Sequence, residues 1–271
     1  MRIKTLYFLL FALVLSSCSE YNKILKSTDR DLKYTYAKKY FDEGKYNRSI
    51  TLLEELVSFM KGTAQAEESL YLLAQSHYNS KDYLSATEVF TTYYNTYPKG
   101  EYAESAMFYS AYGMYLDSPD ARLDQSKTYR AIAEFQKYVE RYPQTERGEQ
   151  AKNYLFELQE KLAYKELLAA QLYLDLGNYM GNNYESAVVT AREAIKRYPY
   201  SRYVEDYQFT ILRARHEYAQ RSTLLTQPER YRMVVDEYFN YTNTFPEGKY
   251  RTEAEKYYKE AQKIIELLPT T

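Results

Sequence analysis

Three stretches of the chain are near copies of one another: Tyr34-x-x-Ala37-x-x-x-Phe41, Tyr71-x-x-Ala74-x-x-x-Tyr78 and Phe108-x-x-Ala111-x-x-x-Tyr115. Their alanines fall 37 residues apart both times. A second recurrence interleaves with the first, in Tyr97-Pro98-x-Gly100, Tyr142-Pro143-x-Thr145, Tyr198-Pro199-x-Ser201 and Phe245-Pro246-x-Gly248. A fixed period of this length marks a unit that cannot bury its apolar face alone and must stack on its neighbours. With 8 Gly in 271 residues and no runs of alternating β-branched residues, the stacked unit is helical.

The Pro recurrence has a mechanical meaning. Pro cannot continue the helix it follows and biases the preceding residue out of helical geometry. The Gly, Thr or Ser two residues later is a good N-cap for the next helix. Each unit is therefore a pair: a first helix with the Tyr/Ala/aromatic signature, a short break, and a second helix. The breaks read as Gly44-Lys45-Tyr46, Asn79-Ser80-Lys81-Asp82-Tyr83 and Gly181-Asn182-Asn183-Tyr184. Three residues beyond each Tyr sits Ser49, Ala86 or Ala187, with Ala131 in the equivalent place of the third unit. Phe90 and Phe135 follow four residues after Ala86 and Ala131. Small residues at these places let paired helices approach closely. The pattern resembles the tetratricopeptide repeat. It predicts an all-α α-solenoid of about five tetratricopeptide-like helix-turn-helix repeats and a terminal helix over residues 30–267. The period is broken by a loop at residues 116–123 and by a long helix from about Thr145 to Asn178. The fourth and fifth repeats depart most from the pattern, with Val234 where a small residue is expected, and their register stays open.

Residues 1–17 differ in kind. Arg2 and Lys4 precede an apolar run from Leu6 to Leu15, the layout of a secretory signal that is too short for a membrane helix. Leu15-Ser16-Ser17-Cys18 resembles the lipobox of bacterial lipoproteins, which implies cleavage before Cys18 and a diacylglyceryl thioether on it. An ordinary signal that happens to contain a Cys, or a buried free thiol, is the plainer alternative. Cys18 is the single Cys of the chain, so no disulfide can form within it. Ser19, by resemblance to sorting rules, implies an outer-membrane anchor on the periplasmic face. Residues 18–29 read as a polar tether ending in Ser27-Thr28-Asp29, a capping sequence for the first helix. Mean hydropathy is −0.67, and nothing in the body reads as a bilayer span.

Without residues 1–17 the chain carries 34 basic against 37 acidic residues, a net of −3. That is not the basic excess of a nucleic-acid binder. Catalysis has little support. His77 reads as a packing residue and His216 as part of an ordinary charged face, Arg213-Ala214-Arg215-His216-Glu217. Asp117, Asp120 and Asp124 lack the Gly and terminal Glu of a calcium loop and read as a solvated, helix-capping loop. No metal, cofactor or catalytic constellation is expected, and the chain reads as a non-enzyme.

Binding is the stronger expectation. Tyr34, Tyr71 and Phe108 form one aromatic row on the first helices; Phe41, Tyr78 and Tyr115 form another. Members of each pair lie seven residues apart and share a helix face. Two roles stay open for these rings, inter-repeat core or the lining of a peptide groove. Asp31, Lys38, Asp42, Glu68, Gln75 and Asn79 are interleaved polar candidates for a peptide backbone.

The anchor, the helical repeats and the recurring Tyr-Pro corners together resemble the BamD family, lipoprotein subunits of the machine that inserts β-barrels into the outer membrane. The resemblance implies that the repeats over 30–142 engage unfolded β-barrel substrates through a groove lined by Tyr34, Phe41, Tyr71, Tyr78, Phe108 and Tyr115. It implies that residues 144–267 dock on a BamA-like barrel protein, from roughly residues 200–267, with Arg213, Arg215, Arg221, Arg230 and Arg232 as candidate salt-bridge partners. Two other classes share the general plan. Periplasmic scaffolds of the YbgF (CpoB) type carry an N-terminal coiled coil, and no heptads occur between Cys18 and the first repeat. Glycan-capture lipoproteins of the SusD type are longer and offer Trp for sugar stacking, whereas this chain has none.

Overall fold

The structure, a computed structural model, describes residues 20–60, 63 and 65–267; the signal at residues 1–17 and the lipidation of Cys18 lie outside them. Among the described residues every regular element is an α-helix. After a helical stretch at residues 20–25 they are α1 (Arg30–Asp42), α2 (Tyr46–Phe59), α3 (Ala66–Asn79), α4 (Tyr83–Thr96), α5 (Ala103–Leu116), α6 (Ser126–Arg141), α7 (Glu146–Leu176), α8 (Asn183–Arg197), α9 (Val204–Gln220), α10 (Gln227–Thr244) and α11 (Arg251–Leu267). The chain divides into two compact units, one holding residues up to 118 with 126–155, the other 119–125 with the chain from 156 onward. Helix α7, 31 residues long, contributes its start to the first unit and its remainder to the second.

Helix starts follow the sequence. The Asp29 carboxylate accepts the Leu32 N–H at 3.0 Å, and Asp82 accepts the Ser85 N–H at 3.2 Å. Each satisfies a donor that the first turn leaves without a partner. In the first unit the small residues Ala37, Ala74 and Ala111 on the first helices, and Ser49, Ala86 and Ala131 on the second, are all 0 % exposed. The approach at these crossings is close enough for Ser49 Oγ to donate to the Ala37 carbonyl at 2.9 Å. Gly148, at the start of α7, lies so near the carbonyls of Tyr142 and Pro143 that a Cβ there would collide with backbone.

The corners carry a device that recurs through both units. Four residues before the aromatic of each Pro corner stands a buried Tyr on the second helix: Tyr93, Tyr138 and Tyr241. Its hydroxyl donates to a Glu in the second position of the preceding first helix. The pairs are Tyr93 with Glu67 at 2.5 Å, Tyr138 with Glu104, and Tyr241 with Glu205 at 2.8 Å. The hydroxyl in turn accepts from the corner, from the Tyr102 N–H at 3.2 Å and the Tyr250 N–H at 3.0 Å. At the fourth corner Ala194 replaces the Tyr, and buried Glu160 instead takes the N–H of Arg202 (3.3 Å) and its Nε (2.7 Å).

Four residues after each of these carboxylates comes a ring that packs on the next corner. Tyr71 stacks on Tyr102 at 4.4 Å, Tyr164 packs on Tyr203 at 5.3 Å, and Phe209 stacks on Tyr250 at 4.1 Å. Phe108 takes the Arg147 guanidinium at 5.6 Å in the same place. A carboxylate, a hydroxyl and a ring thus meet at the Tyr97, Tyr142 and Phe245 corners, and a carboxylate and a ring at the Tyr198 corner.

In the second unit the equivalent positions Ala187 and Val234 are both 0 % exposed, which settles the register of the fourth and fifth repeats. The five pairs are α1/α2, α3/α4, α5/α6, the later part of α7 with α8, and α9/α10, and α11 follows as the terminal helix.

Three local expectations change. Residues 20–25, read as tether, are helical, and Ile24 is buried with Tyr21 and Leu25 against the core of the first repeat. His216 is not on a charged surface. It is buried, and it stacks on Tyr257 of α11 at 4.1 Å with Nε2 3.1 Å from Glu260. The insertion is only half solvated: Ala121 and Gln125 are buried, and the Gln125 amide donates to the carbonyls of Asp120 (2.7 Å) and Leu123 (3.1 Å).

Tyr93→Phe leaves the Tyr102 N–H and Glu67 short of a partner in a shielded corner. The expected cost is about 1–3 kcal/mol, read as a lower urea midpoint with unchanged helical content. A midpoint equal to that of the parent protein removes the hydroxyl from the account of the corner.

Candidate functional site

The first unit presents a continuous tyrosine face built from three elements. Tyr78 of α3 lies 5.2 Å from Tyr109 and 6.4 Å from Tyr112 of α5. Tyr112 stacks on Tyr115 at 5.7 Å, and Tyr154 at the start of α7 lies 4.9 Å from Tyr112 and 4.6 Å from Tyr115. All five rings are half-buried, so each has one side in the core and one open. Burial raises the Tyr78 hydroxyl pKa well above the usual phenol value, with the neighbouring tyrosines adding to it. The Tyr78 hydroxyl therefore stays protonated and can both donate and accept.

The two predicted rows have different fates. The first is the inter-repeat joint: Phe108 is 5 % exposed and packs edge-on to Tyr138 at 5.4 Å, while Tyr71 is held between Phe90, Tyr93 and Tyr102. Tyr34, with no repeat before it, donates to Glu68, which also takes the Lys38 ammonium at 2.5 Å. The second row stays half-open. Phe41 leans on Tyr46 at 5.6 Å and Tyr78 on Tyr83 at 5.7 Å, the same contact in successive repeats, and Tyr115 joins the face. Tyr109, Tyr112 and Tyr154 went unread in the sequence because they stand one and four residues after Phe108, off the repeating positions, or on the irregular long helix.

Lys38 and then Tyr34 bond the Glu68 carboxylate and hold its pKa below the ordinary value of 4.5. Burial first, and then that carboxylate, push the Tyr34 hydroxyl up to about 12. A depressed carboxyl contributes stability that is present above its unfolded pKa and is lost as pH falls through its folded one. Acid should therefore loosen the α1–α3 contact as the pH falls below the ordinary carboxyl value of 4.5, seen as faster amide exchange in α1. Because Glu68 and Lys38 are part-exposed the effect is below about 1 kcal/mol. Glu68→Gln should flatten this acid dependence, and identical profiles would clear Glu68 of the role.

In the second unit the five predicted arginines separate. Arg215 is nearly covered and pairs with Glu185; Arg221 pairs with Glu217 and sits 5.8 Å over the Tyr184 ring. Arg230 bonds Ser222 and lies 3.8 Å over Tyr218. Arg213 reaches Glu217 only at 4.0 Å. Arg232 is exposed and has no ion pair among the described residues. Tyr179, Met180, Leu224 and Leu225 form an apolar rim on two turns, 69, 90, 71 and 87 % exposed. Contacts of Tyr184 with Tyr218 and Arg221 bring those turns together. Arg215→Ala should cost about 1.5–3 kcal/mol and Arg232→Ala less than about 0.5 kcal/mol, measured by chemical denaturation. The reverse order would contradict the division.

Comparison with known proteins adds the following. The YfiO family, described as outer membrane lipoprotein, matches residues 26–182, a stretch that includes the whole tyrosine face. The chain is 22% identical over 184 residues to the outer membrane protein assembly factor BamD of Caulobacter vibrioides, covering 68% of this chain and 59% of that protein's length. A crystal structure of kinesin light chain TPR-like repeats from Podosopora anserina aligns at 14% identity with a TM-score of 0.33, over 86% of this chain and 92% of that one. With more than half of its length inside the family match, the chain belongs to the YfiO family of outer membrane lipoproteins.

Proposed function

We propose that the protein is an outer-membrane protein assembly factor, a lipid-anchored scaffold on the periplasmic face that holds unfolded β-barrel chains and docks on a BamA-like barrel protein. The observation that carries this reading is the coincidence of the family match with the tyrosine face, since residues 26–182 contain every ring of it. The face suits an extended segment rich in Phe and Tyr. Rings offer large contact area at low entropic cost, and protonated hydroxyls supply hydrogen bonds to a peptide backbone. Phe41, Tyr78 and Tyr115 keep their predicted binding role, now with Tyr109, Tyr112 and Tyr154. Tyr71 and Phe108 act instead through the joint that positions the face. Tyr34 holds the first joint through Glu68.

Docking on the barrel protein is assigned to the second unit. Arg232 and the rim of Tyr179, Met180, Leu224 and Leu225 are its candidates, because apolar residues this exposed mark interaction sites when they cluster. The mechanism is capture, orientation and handover, with no bond made or broken by this chain. A Cys18 thioether lipid holds the scaffold on the membrane.

Two measurements test the proposal. Tyr78→Ala with Tyr112→Ala should weaken binding of a barrel-derived C-terminal peptide by at least about tenfold while far-UV dichroism is retained, since truncating a central aromatic costs roughly 2 kcal/mol. Pull-down of the lipidated protein from outer membranes in mild detergent should recover a barrel protein with periplasmic domains. Unchanged peptide affinity sinks the face as the capture site, and a pull-down lacking any barrel partner sinks the docking assignment.

A further inference from the structure

The segment read as a tether is docked, and that changes where the body of the protein must sit. Ile24 is buried, Tyr21 packs edge-on against Tyr40 at 5.7 Å, and the Arg48 guanidinium lies 5.1 Å over the Tyr21 ring. The Glu20 carboxylate accepts the Tyr36 hydroxyl at 2.9 Å and pairs with Lys39 at 3.5 Å. Glu20 is thus already held by the folded body, and in the sequence Ser19 alone stands between it and Cys18.

Covalent geometry sets the reach. Two residues span at most about 7 Å, whereas a free tether over residues 18–29 would span about 40 Å. The headgroup layer on each side of a bilayer is about 5–8 Å thick. A thioether lipid on Cys18 has its glycerol at the inner edge of that layer. Glu20 is then held within or just above the headgroups, and so is the surface around it.

That surface is basic. Lys23 and Lys26 are exposed and have no acidic partner among the described residues. Around the same helix Glu20 is matched by Lys39 and Glu43 by Lys45 at 2.6 Å, and Arg48 lies over the Tyr21 ring. An open polar recess lined by Lys45, Asn47, Arg48 and Ser80 continues the same face.

We propose that residues 20–25 are a rigid coupler and that the first repeat lies on the membrane, with Lys23 and Lys26 against anionic lipid headgroups. The proposal rests on the lipoprotein reading above, because it needs the lipid on Cys18. The occupant is lipid rather than a second copy of the chain or a peptide. The covalent anchor leaves no room for a macromolecule between this face and the bilayer, and the charge is of the sign that anionic headgroups attract.

The test uses the full lipidated chain in vesicles of phosphatidylethanolamine with phosphatidylglycerol, labelled with a fluorophore at Asn22→Cys or Asn47→Cys. Mass spectrometry first establishes the acylated N-terminus; its absence would overturn the lipoprotein reading itself. With the lipid present, headgroup-nitroxide lipids should quench both labels at least twofold. A ten-residue Gly/Ser insertion between Ser19 and Glu20 should abolish that quenching while flotation shows the same vesicle-bound fraction. Weak quenching in the parent chain, or equal quenching with and without the insertion, overturns the coupler and leaves the anchor standing.

Discussion

Helices of fourteen residues such as α2 to α5 bury too little surface to persist alone, so the structure depends on how one pair is joined to the next. The joint is electrostatic and apolar at once. A carboxylate in the first turn of a helix sits where the backbone N–H groups favour negative charge. It then takes the hydroxyl of a Tyr that is itself excluded from water, and a ring one turn along closes over the next corner. Burial, with the carboxylate second, raises the pKa of Tyr93, Tyr138 and Tyr241 far above the usual phenol value, so the donor stays in its bonding form. Such a joint involves only adjacent repeats. The loop at 119–125 and the long α7 can therefore interrupt the period without disturbing the joints on either side.

The same logic divides labour along each first helix. Two rings seven residues apart face one way, but one lies at the corner and the other at the opposite end. The corner ring is consumed by the joint, as Tyr71 and Phe108 are. The far ring leans on the break between its own two helices, as Phe41 meets Tyr46 and Tyr78 meets Tyr83, and keeps one side open. Recognition and stacking thus occupy different positions of one repeating sequence, and a change to the open rings need not unseat the fold.

Much of this was legible in the residues. The Pro corners, the small residues at crossings and a helix expected over about 145–178, observed at Glu146–Leu176, follow from local rules that need no partner to be known. The joint was not legible. Its Glu and Tyr lie 26, 34 and 36 residues apart in the three copies, a separation that varies with each break and loop. With 35 Tyr in the chain, no single one stands out. His216 was misread because the run around it is charged, whereas burial is decided by the helix that later covers it. Residues 20–25 were misread because six residues are too few to show a period. Of the candidate site, the second aromatic row could be found by counting. Tyr109, Tyr112 and Tyr154 required the helices to be set side by side.

The tyrosine face also has an optical consequence. Its rings lie 4.6–6.4 Å apart and the chain contains no Trp, so excitation absorbed by one phenol passes among its neighbours with no indole to trap it. With no Trp in the chain, the emission expected of the protein is that of its tyrosines. An indole carried in by a bound chain becomes the sole acceptor for that energy, and occupancy of the face is written directly in the colour of the light that leaves it.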